Sequence, residues 1–318
     1  MSKVKYSFVL PAYKARFFRE ALDSILAQTY TDFELIIVND ASPEDLDSIV
    51  KSYDDPRIRY YVNEENIGGK DLVAQWNHCL EYAKGEYIIL ASDDDVYFPQ
   101  YLEKMDALVQ KYPYVNVFRP RIQVIDTTGR ICRVYGVVNE LIGALEFVYN
   151  LHKDIIGSAI GYYVFKKNEV DSIGGFVNYP QAWGSDDATV MLMARNGLVF
   201  CQDVLFSFRN SSEQISMTYD YETVKAKLEA RKKYHTFLKK YLDIIVVKND
   251  YERYYKEAIQ NNLNFLLETG TRWTIDNASF VTQIKLMREI ISLECATTLF
   301  LLKRIVNRSL RAVHIIEK

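Results

Sequence analysis

Short apolar runs alternate with amphipathic stretches along the first half of the chain. Four of these runs have the length of a strand and lie at residues 6–10, 34–39, 58–62 and 86–91. Residues 17–28 and 72–83 instead carry apolar side chains at helical spacing. Ser42 before Pro43 is typical of a helix start and predicts a helix from Pro43 to about Tyr53. Strand–helix steps of this kind predict an α/β fold with a mainly parallel sheet flanked by helices.

The pattern changes twice after about residue 114. It first becomes rich in strands, which are predicted at residues 115–118, 122–126, 131–134, 161–165 and 199–209. Helices are predicted at residues 141–150 and 188–196, and Gly197 ends the second helix. Long helical patterns then occupy residues 221–241, 251–269 and 280–316. We therefore predict a first domain of residues 1–216 and an α-helical C-terminal extension of residues 217–318.

Composition narrows the class of protein. The 318 residues are 49% apolar and 25% charged, as in an ordinary soluble protein, and the net charge of −3 gives no case for nucleic-acid binding. The scattered cysteines contain no CxxC pair, so neither a zinc cage nor a disulfide framework is indicated, which favours a reducing compartment. The first apolar run stops at Pro11 and is too short for a signal peptide. Because no run of about 18 apolar residues predicts a spanning helix, we expect a cytoplasmic protein.

Three adjacent carboxylates, Asp93, Asp94 and Asp95, follow the fourth apolar run. They repel one another, and the carboxyl end of a strand is where α/β sheets place their ligands. Carboxylate oxygens are ligands that Mg²⁺ prefers, usually one or two per ion with phosphate oxygens completing the shell. A solvated acidic turn that caps the next helix is the alternative. On these residues alone, both interpretations stand.

A set of motifs in a fixed order extends the argument beyond this acidic cluster. The set comprises residues 9–13, 22–30, 33–42, 66–68, 77 and 85–88, the three aspartates with Pro99, and residues 174–176. In this order the motifs resemble the family 2 glycosyltransferases of the GT-A fold, over roughly residues 4–212. The resemblance implies a GT-A enzyme that takes a sugar from a nucleotide donor. A Rossmann dehydrogenase is excluded, because the first strand leads to Pro11 without a GxGxxG motif.

The resemblance implies a nucleotide site beside the first two strands. In the family, the residue at the position of Asp40 accepts a hydrogen bond from the N3–H group of uracil, and the alternative for Asp40 is a helix N-cap. Pro11 and Tyr13 border the base in relatives, where Tyr13 would either stack on the base or pack within the protein.

Two further segments are implied to contact the donor. The glycine turn that begins at Asn66 would let the backbone approach a ligand, and Lys70 would either neutralise phosphate charge or remain solvated. Arg209 ends the last predicted strand, where relatives contact the diphosphate.

The acidic cluster aligns with the metal-binding DxD motif of the family. Counting back from Pro99 places Asp94 at the metal-binding carboxylate and Asp93 at the position that faces the ribose. We therefore expect Asp94 to bind Mg²⁺ or Mn²⁺ directly, with Asp93 and Asp95 in support. The metal would offset the negative charge that develops on the leaving nucleotide diphosphate.

A second pair of carboxylates aligns with the catalytic residues of the family. Counting back from Gly197 matches Asp186 with the catalytic aspartate, and Asp187 is the rival one place further on. Inverting transfer needs a general base that takes the proton of the acceptor hydroxyl as this hydroxyl attacks the anomeric carbon. The alternative is a pair of helix N-cap residues.

We therefore expect an inverting transferase of hexosyl or N-acetylhexosaminyl type, which moves one sugar from a nucleotide-diphosphate sugar. UDP is the favoured nucleotide, and the acceptor is a glycan or a lipid-linked saccharide of bacterial surface polysaccharide biosynthesis. The chain lacks the Gln-x-x-Arg-Trp motif of processive synthases, which argues against a polymerising enzyme. A GDP- or dTDP-sugar donor and a non-catalytic nucleotide-sugar binding protein are the alternatives.

The end of the chain suggests a membrane contact. Residues 299–316 alternate apolar residues with the cations Lys303, Arg304, Arg308 and Arg311. A basic amphipathic helix of this kind either lies on an anionic membrane or packs on the first domain with its charges in water. The first alternative would place the protein at the inner face of the cell membrane.

Overall fold

The computed structural model describes residues 4–211, 214, 217–287 and 306. The described chain forms two compact units. The first holds the residues up to Asn178 together with Ser185–Ser211, and the second holds Tyr179–Gly184 and the described residues beyond Ser211. No pattern in the sequence predicted that Tyr179–Gly184 groups with the C-terminal helices. Ser216, where the domain boundary is predicted, lies outside the described residues, so a division at that residue stays a prediction.

The first unit is built around one sheet. Its strands are β1 (Tyr6–Ala12), β2 (Phe33–Asn39), β3 (Ile58–Val62), β4 (Tyr87–Leu90), β5 (Val96–Tyr97), β6 (Val117–Ile125), β7 (Ile131–Val134), β8 (Leu141–Ile142), β9 (Val164–Lys166) and β10 (Leu198–Arg209). Its α-helices are α1 (Phe18–Leu26), α2 (Leu46–Lys51), α3 (Leu72–Leu80), α4 (Tyr101–Lys111), α5 (Ala144–His152), α6 (Lys167–Ser172) and α7 (Ser185–Met193). The strand order is β3-β2-β1-β4-β9-β6-β10-β5, with β7 paired to β6 and β8 paired to β10.

The half of the sheet formed by β3, β2, β1 and β4 is parallel, as the alternation of strands and helices predicts. Every residue of β2 is buried, which explains why its apolar run is continuous rather than alternating. The other half is mixed, because β6 and β10 are parallel whereas β9 is antiparallel to β4 and β6, and β5 is antiparallel to β10. The α/β fold is thus confirmed, and its sheet is mixed rather than parallel throughout.

The parallel half brings the segments after β1, β2 and β4 to one edge of the sheet. Hydrogen bonds continue past the strand ends, since Asp40 N–H donates to the carbonyl of Ala12 at 2.9 Å and Ala91 N–H donates to that of Val9 at 2.7 Å. Residues that are about 27 and 80 positions apart in the chain therefore meet at this edge. This is the edge at which open α/β sheets bind ligands.

The predicted start of α2 is wrong. The helix begins at Leu46, and its N-cap is Asp45, whose side chain accepts from Ser48 N–H at 3.0 Å. Ser42 instead donates its hydroxyl to the carbonyl of Tyr13 and accepts from Glu44 N–H. A serine before a proline thus ties two loops together here, and the N-cap interpretation of Asp40 falls with it.

The strands predicted at residues 115–118 and 122–126 are one strand, β6, which continues through Pro120. Proline lacks a backbone N–H and normally interrupts a central strand. On the neighbouring β10 the register shifts between Cys201 and Val204, next to the pairing of Pro120 with Cys201. The backbone N–H that Pro120 lacks is therefore missing at a point where the hydrogen-bond pairing between β6 and β10 is already irregular.

The observed bounds of two helices and one strand also differ from the predicted bounds. The helix predicted from residue 141 begins at Ala144, because residues 141 and 142 pair with β10 as β8. The helix predicted at residues 188–196 begins at Ser185 and ends in a 3₁₀ turn before Gly197, whose φ is 98°. The strand predicted at residues 161–165 is a 3₁₀ turn, Ile160–Tyr162, followed by β9.

Buried tyrosines anchor the segment of residues 157–163, hereafter loop 157–163. The hydroxyl of Tyr97 donates to the carbonyl of Gly161, and that of Tyr101 donates to the carbonyl of Tyr162 at 3.0 Å. The rings of Tyr97 and Phe206 pack edge to face with their centres 5.0 Å apart. Tyr97 and Tyr101 therefore belong to the core, where each buried hydroxyl needs a partner.

The second unit contains α8 (Tyr221–Ile244), α9 (Asp250–Asp276) and α10 (Phe280–Lys285). The predicted helices at residues 221–241 and 251–269 are confirmed. Their apolar core consists of Val224, Leu228, Ile275, Ala278 and Leu286. Among the described residues, none of the helices combines the length and apolar character that a bilayer-spanning segment needs. The amphipathic pattern at residues 299–316 lies outside the described residues except for Val306.

Candidate active site

The segment after β1 is held against the acidic cluster. Asp93 Oδ2 accepts hydrogen bonds from the backbone N–H groups of Tyr13 at 2.9 Å and Lys14 at 2.8 Å. The side chain of Tyr13 is 41% exposed, and Pro11 is half-buried within β1. The backbone of Tyr13 is thus held at the sheet edge where a ligand would bind, and its side chain is exposed there.

Asp40 follows β2, and only 4% of its surface is exposed. Its Oδ1 accepts from Asn63 Nδ2 at 2.7 Å and from Ile67 N–H at 2.9 Å. Its Oδ2 accepts from Gly68 N–H at 2.7 Å and from Asn66 Nδ2 at 3.3 Å. Four donors match the roughly four acceptor sites of a carboxylate. A uracil N3–H group would therefore have to displace one of them, and the Asn66 amide forms the longest of these bonds.

The predicted glycine turn shapes the loop beside Asp40. Asn66 Oδ1 accepts from Gly69 N–H at 2.6 Å, while its amide donates to the carbonyl of Asp40 at 3.0 Å. A Cβ atom at Gly68 would lie 2.9 Å from Asp40 Oδ2, so a glycine is required there. Lys70 is exposed and forms an ion pair with Glu65 at 2.6 Å.

Arg209 is the last residue of β10, and it forms hydrogen bonds with two residues of the acidic cluster. Its backbone N–H donates to Asp95 Oδ1 at 2.8 Å, and its Nε donates to the carbonyl of Asp94 at 2.8 Å. Its Nη2 lies 2.7 Å from Glu20 Oε2, and only 1% of Arg209 is exposed. A contact with a diphosphate would require this guanidinium to leave Glu20.

Burial controls the ionisation of the cluster. It raises the pKa of Asp95 well above its ordinary value, and the neighbouring Asp94 raises that pKa further. Burial also raises the pKa of Asp93, while the N–H groups of Lys14 and Tyr13 act in the opposite direction. The negative charge that remains here favours the approach of a cation.

The residues of the cluster fit a divalent ion that phosphate helps to bind. Among the described residues, no group of three or more histidines, cysteines or acidic side chains converges into a complete metal cage. Mg²⁺ does not need such a cage, because one or two carboxylates plus phosphate oxygens and waters complete its octahedral shell. Asp94, a residue that is 9% exposed, supplies one hard oxygen donor group of the required kind at this edge.

Loop 157–163 connects the acidic cluster with the second pair of carboxylates. A Cβ atom at Gly161 would lie 3.3 Å from Asp95 Oδ2 and 3.4 Å from Ser92 Oγ, so the loop runs close against the cluster. Three residues earlier, Ser158 Oγ donates to Asp186 Oδ2 at 3.2 Å. Two sites that are separated by some 90 residues in the sequence are thus joined by one short loop.

Asp186 and Asp187 lie in the first turn of α7, a position that suits the helix dipole. Asp186 Oδ1 accepts from the N–H of Asp187 at 2.9 Å. Asp187 Oδ1 is buried without a hydrogen-bond partner among the described residues. Burial raises the pKa of Asp186, although the bonds from Asp187 N–H and Ser158 oppose this rise. Burial and the charge of Asp186 together raise the pKa of Asp187 to about 8.

The carboxylates of both sites were predicted from the sequence, but the residues that surround Asp186 were not. Ser158 belongs to no recognisable motif, and the buried Arg119 sits in β6 where an exposed alternating residue would be expected. Tyr163 is completely buried and links the two, since its hydroxyl lies 3.3 Å from Arg119 Nη1 and 3.4 Å from Ser158 Oγ. Only the three-dimensional fold reveals these contacts.

Several relatives share part of this sequence. EpsE of Bacillus subtilis, which is named a glycosyltransferase, is 36% identical over 129 residues, which cover 39% of this chain and 45% of EpsE. RT0329 of Rickettsia typhi, named an uncharacterized glycosyltransferase, is 39% identical over 106 residues, which cover 33% of this chain and 32% of that protein. The matched part of the chain thus spans less than half the length of these relatives.

Solved structures share the fold. TarS 1-349 of S. aureus in complex with UDP-GlcNAc superposes with a TM-score of 0.63 at 14% identity, over 97% of this chain and 92% of TarS. The mannosyltransferase PcManGT of Pyrobaculum calidifontis, in complex with GDP-Man and Mn²⁺, gives a TM-score of 0.54 at 14% identity, over 96% and 80% of the two chains. The predicted GT-A fold is confirmed by these likenesses.

The family itself follows from the sequence that builds the sheet edge described above. The model described as Glycosyl transferase family 2 matches residues 7–174, which is more than half of the 318 residues. This span contains β1 from its second residue, all of β2 and β4, and the carboxylates that follow these strands. The chain therefore belongs to glycosyl transferase family 2.

Proposed function

We propose that the protein transfers one sugar from a UDP-sugar to a saccharide or lipid-linked acceptor, with inversion at the anomeric carbon. The observation that carries the proposal is the pair of carboxylate sites joined by loop 157–163: the acidic cluster at one end and Asp186 at the other. The first is suited to the diphosphate of a donor, and the second is suited to the hydroxyl of an acceptor.

Asp186 is the proposed general base. Burial raises the pKa of both carboxyls, and burial together with the charge of Asp186 raises that of Asp187 to about 8, so we assign one proton to the pair at neutral pH and place it on Asp187. The ionised carboxylate takes the proton of the acceptor hydroxyl as its oxygen forms the new bond to the anomeric carbon. The bond from this carbon to the diphosphate oxygen breaks on the opposite face, and the nucleotide leaves with the electron pair.

Asp94 is the proposed ligand of Mg²⁺ or Mn²⁺. A bound divalent ion would offset the charge that develops on the leaving diphosphate. We do not propose Asp95 as a direct ligand, because its Oδ1 binds Arg209 N–H and the residue is 1% exposed. Its role is to hold the end of β10 against the cluster.

UDP is the proposed donor nucleotide, with Asp40 and the exposed ring of Tyr13 beside the base. TarS, with the higher of the two TM-scores given above, is in complex with UDP-GlcNAc, which supports this choice. A GDP-sugar is the second candidate, because PcManGT is in complex with GDP-Man and because the Asp40 carboxylate is already occupied by four donors. A dTDP-sugar is a further alternative donor, and the nucleotide-sugar panel described below includes it.

The proposed setting is the assembly of a bacterial surface polysaccharide at the cytoplasmic side of the membrane. Its support is the resemblance to relatives that use lipid-linked acceptors, together with the basic amphipathic pattern at residues 299–316. A protein that binds donors without turnover is the competing proposal, which an assay of nucleotide release decides.

The donor base is tested with a panel of UDP-, GDP- and dTDP-sugars in the presence of Mn²⁺, measured by thermal shift and by release of free nucleotide. We expect UDP-sugars to give the largest shift and measurable release. Asp40→Ala should weaken UDP far more than inorganic diphosphate, because the lost contact is with the base. Asn66→Ala is the matched control, since it loosens the same turn and keeps the carboxylate. Equal losses for UDP and diphosphate in Asp40→Ala would show that Asp40 acts only through the turn.

The metal ligand is tested by calorimetry of UDP binding with Mn²⁺ and with EDTA. Wild type should bind UDP more tightly with Mn²⁺, and Asp94→Asn should remove most of this difference because an amide replaces the charged ligand. Asp54→Asn, which changes an exposed carboxylate outside the site, should behave as wild type. Equal UDP affinity of wild type with and without metal contradicts the metal proposal.

The general base is tested by comparing two neighbouring substitutions. Asp186→Asn should keep UDP binding and lower transfer by at least about a hundredfold, the usual scale for loss of a general base. Asp187→Asn should be much milder, because an amide resembles the protonated carboxyl that Asp187 carries at neutral pH. If Asp187→Asn is inactive and Asp186→Asn remains active, Asp187 is the general base and Asp186 is not.

The proton on Asp187 also predicts how stability depends on pH. Its pKa rises from 3.8 in the unfolded chain to about 8 in the folded protein, so the folded state holds a proton between these values that the unfolded chain has released. Its contribution therefore makes the protein less stable as pH rises through this window. Asp187→Asn should raise the melting temperature at pH 8, and the gain should shrink toward pH 4. A gain that is the same at both pH values would contradict the raised pKa, and Asp54→Asn serves as the control.

A further inference from the structure

Arg119 is a buried cation with an unusual set of neighbours. It is 1% exposed, and its guanidinium carbon lies 4.4 Å from the ring centre of Tyr162 and 4.6 Å from that of Phe200. Its Nη1 donates to the carbonyl of Gly157 at 2.8 Å. Among the described residues, the ion pairs with carboxylates do not include Arg119. A buried charge is expensive and is seldom retained without a compensating role.

Arg119 begins a chain of hydrogen bonds that ends on the proposed base. Nη1 donates to the hydroxyl oxygen of Tyr163 at 3.3 Å, this hydroxyl lies 3.4 Å from Ser158 Oγ, and Ser158 Oγ donates to Asp186 Oδ2 at 3.2 Å. Tyr163 is completely buried, and burial raises its pKa to about 12, so it stays neutral and keeps its proton.

The guanidinium constrains the direction of this chain. Arginine can only donate, so the Tyr163 oxygen accepts from Arg119, which leaves the hydroxyl proton of Tyr163 available for donation to Ser158. Ser158 then donates its proton to Asp186 Oδ2, and this hydrogen bond is stronger when Asp186 is ionised. Hydrogen bonds arranged in one direction polarise each other, so the charge of Arg119 is felt at the carboxylate through two hydroxyl groups. The links are long, as catalytic hydrogen bonds often are before the substrate binds.

We propose that Arg119, Tyr163 and Ser158 form a relay that positions the Asp186 carboxylate and stabilises its ionised form. Arg119 and Tyr163 are thus positioning residues of the reaction, and this part of the inference rests on the proposed role of Asp186 as the base. The relay itself rests only on the contacts within the first unit.

Other titratable groups around Asp186 do not supply the same effect. Asp187 is its neighbour in α7, where its backbone N–H donates to Asp186 Oδ1 while its side chain adds a second carboxyl rather than a cation. Tyr162, on loop 157–163, has a pKa raised by burial and stays neutral. On α5, which packs against α7, burial lowers the pKa of His152 to about 4 and raises that of Glu146, so both tend toward their neutral forms. Among these groups, Arg119 is the cation that acts on both Asp186 and Asp187.

The test uses Tyr163→Phe in the full chain, which removes the hydroxyl and keeps the ring that packs on Tyr162. The free energy of unfolding is measured at pH 4.5 and pH 8. The relay stabilises ionised Asp186, so its contribution is present above the pKa of this group and is lost as the pH falls through it. We therefore expect Tyr163→Phe to destabilise the protein more at pH 8 than at pH 4.5, and we expect this difference to vanish in the Asp186→Asn background.

Tyr101→Phe is the matched control. It removes another completely buried hydroxyl, one that binds the same loop at the carbonyl of Tyr162 and lies outside the relay. Its cost should be the same at both pH values. If Tyr163→Phe behaves in the same way, the hydroxyl is only a packing partner and the relay is wrong.

The reaction gives a second readout. In Tyr163→Phe, the acidic limb of the profile of kcat/KM against pH should move upward by about half to one pH unit, the shift equivalent to one net hydrogen bond. Arg119→Lys should move it in the same direction, and Arg119→Met further. An unmoved limb overturns the positioning role. Wild-type protein that releases nucleotide from no donor overturns the proposed function instead, and the stability measurement keeps the two failures distinguishable.

Discussion

The parallel pairing of β1 with β2 on one side and β4 on the other is the constraint on which the site depends. Parallel strands end at the same edge. Ala12 pairs with Asn39, and Leu90 pairs with Val9, three residues before the end of β1, although the helices between these strands separate them widely in the chain. Everything that the site needs for a donor follows directly after these strand ends. A shift of one residue in either pairing would turn the side chains at the edge toward the opposite face of the sheet.

Carboxylates that lie close together at such an edge repel one another unless hydrogen-bond donors stabilise their charges. The fold offsets this repulsion mainly with backbone N–H groups: those after β1 bind Asp93, those of the turn at Ile67 and Gly68 bind Asp40, and that of Arg209 binds Asp95. Each of these bonds also fastens one loop to another part of the sheet. The acidic side chains are therefore both the proposed ligand-binding groups and the ties that keep the loops in place.

The sequence was sufficient for the architecture because apolar periodicity reports burial directly. Continuous apolar runs predicted β1, β2 and β4, and the aspartates were placed correctly at their ends. Where tertiary contacts override local signals, the predictions failed. Ser42 and Pro43 have the local form of a helix start, but the hydroxyl of Ser42 is used by Tyr13.

Arg119 could not be foreseen for a different reason. An arginine in a strand is normally read as a solvent-facing residue, and nothing near it in the sequence marks the aromatic rings and the carbonyl that surround it. Ser158 and Tyr163 reach it only through the path of loop 157–163. Relationships of this kind depend on side-chain packing between distant segments, which a single sequence does not encode in any local pattern.

The interruption of the first unit by Tyr179–Gly184 has a consequence for how the protein is made. Strand β10 lies between β6 and β5 in the sheet, yet it is synthesised only after that interruption. The parallel half could form early on the ribosome, whereas the other half must wait, with an open edge on β6, until about residue 209 has emerged. A nascent chain paused before that point would leave the backbone groups along one edge of β6 unpaired, and an unpaired strand edge is a site at which another chain can add and aggregate.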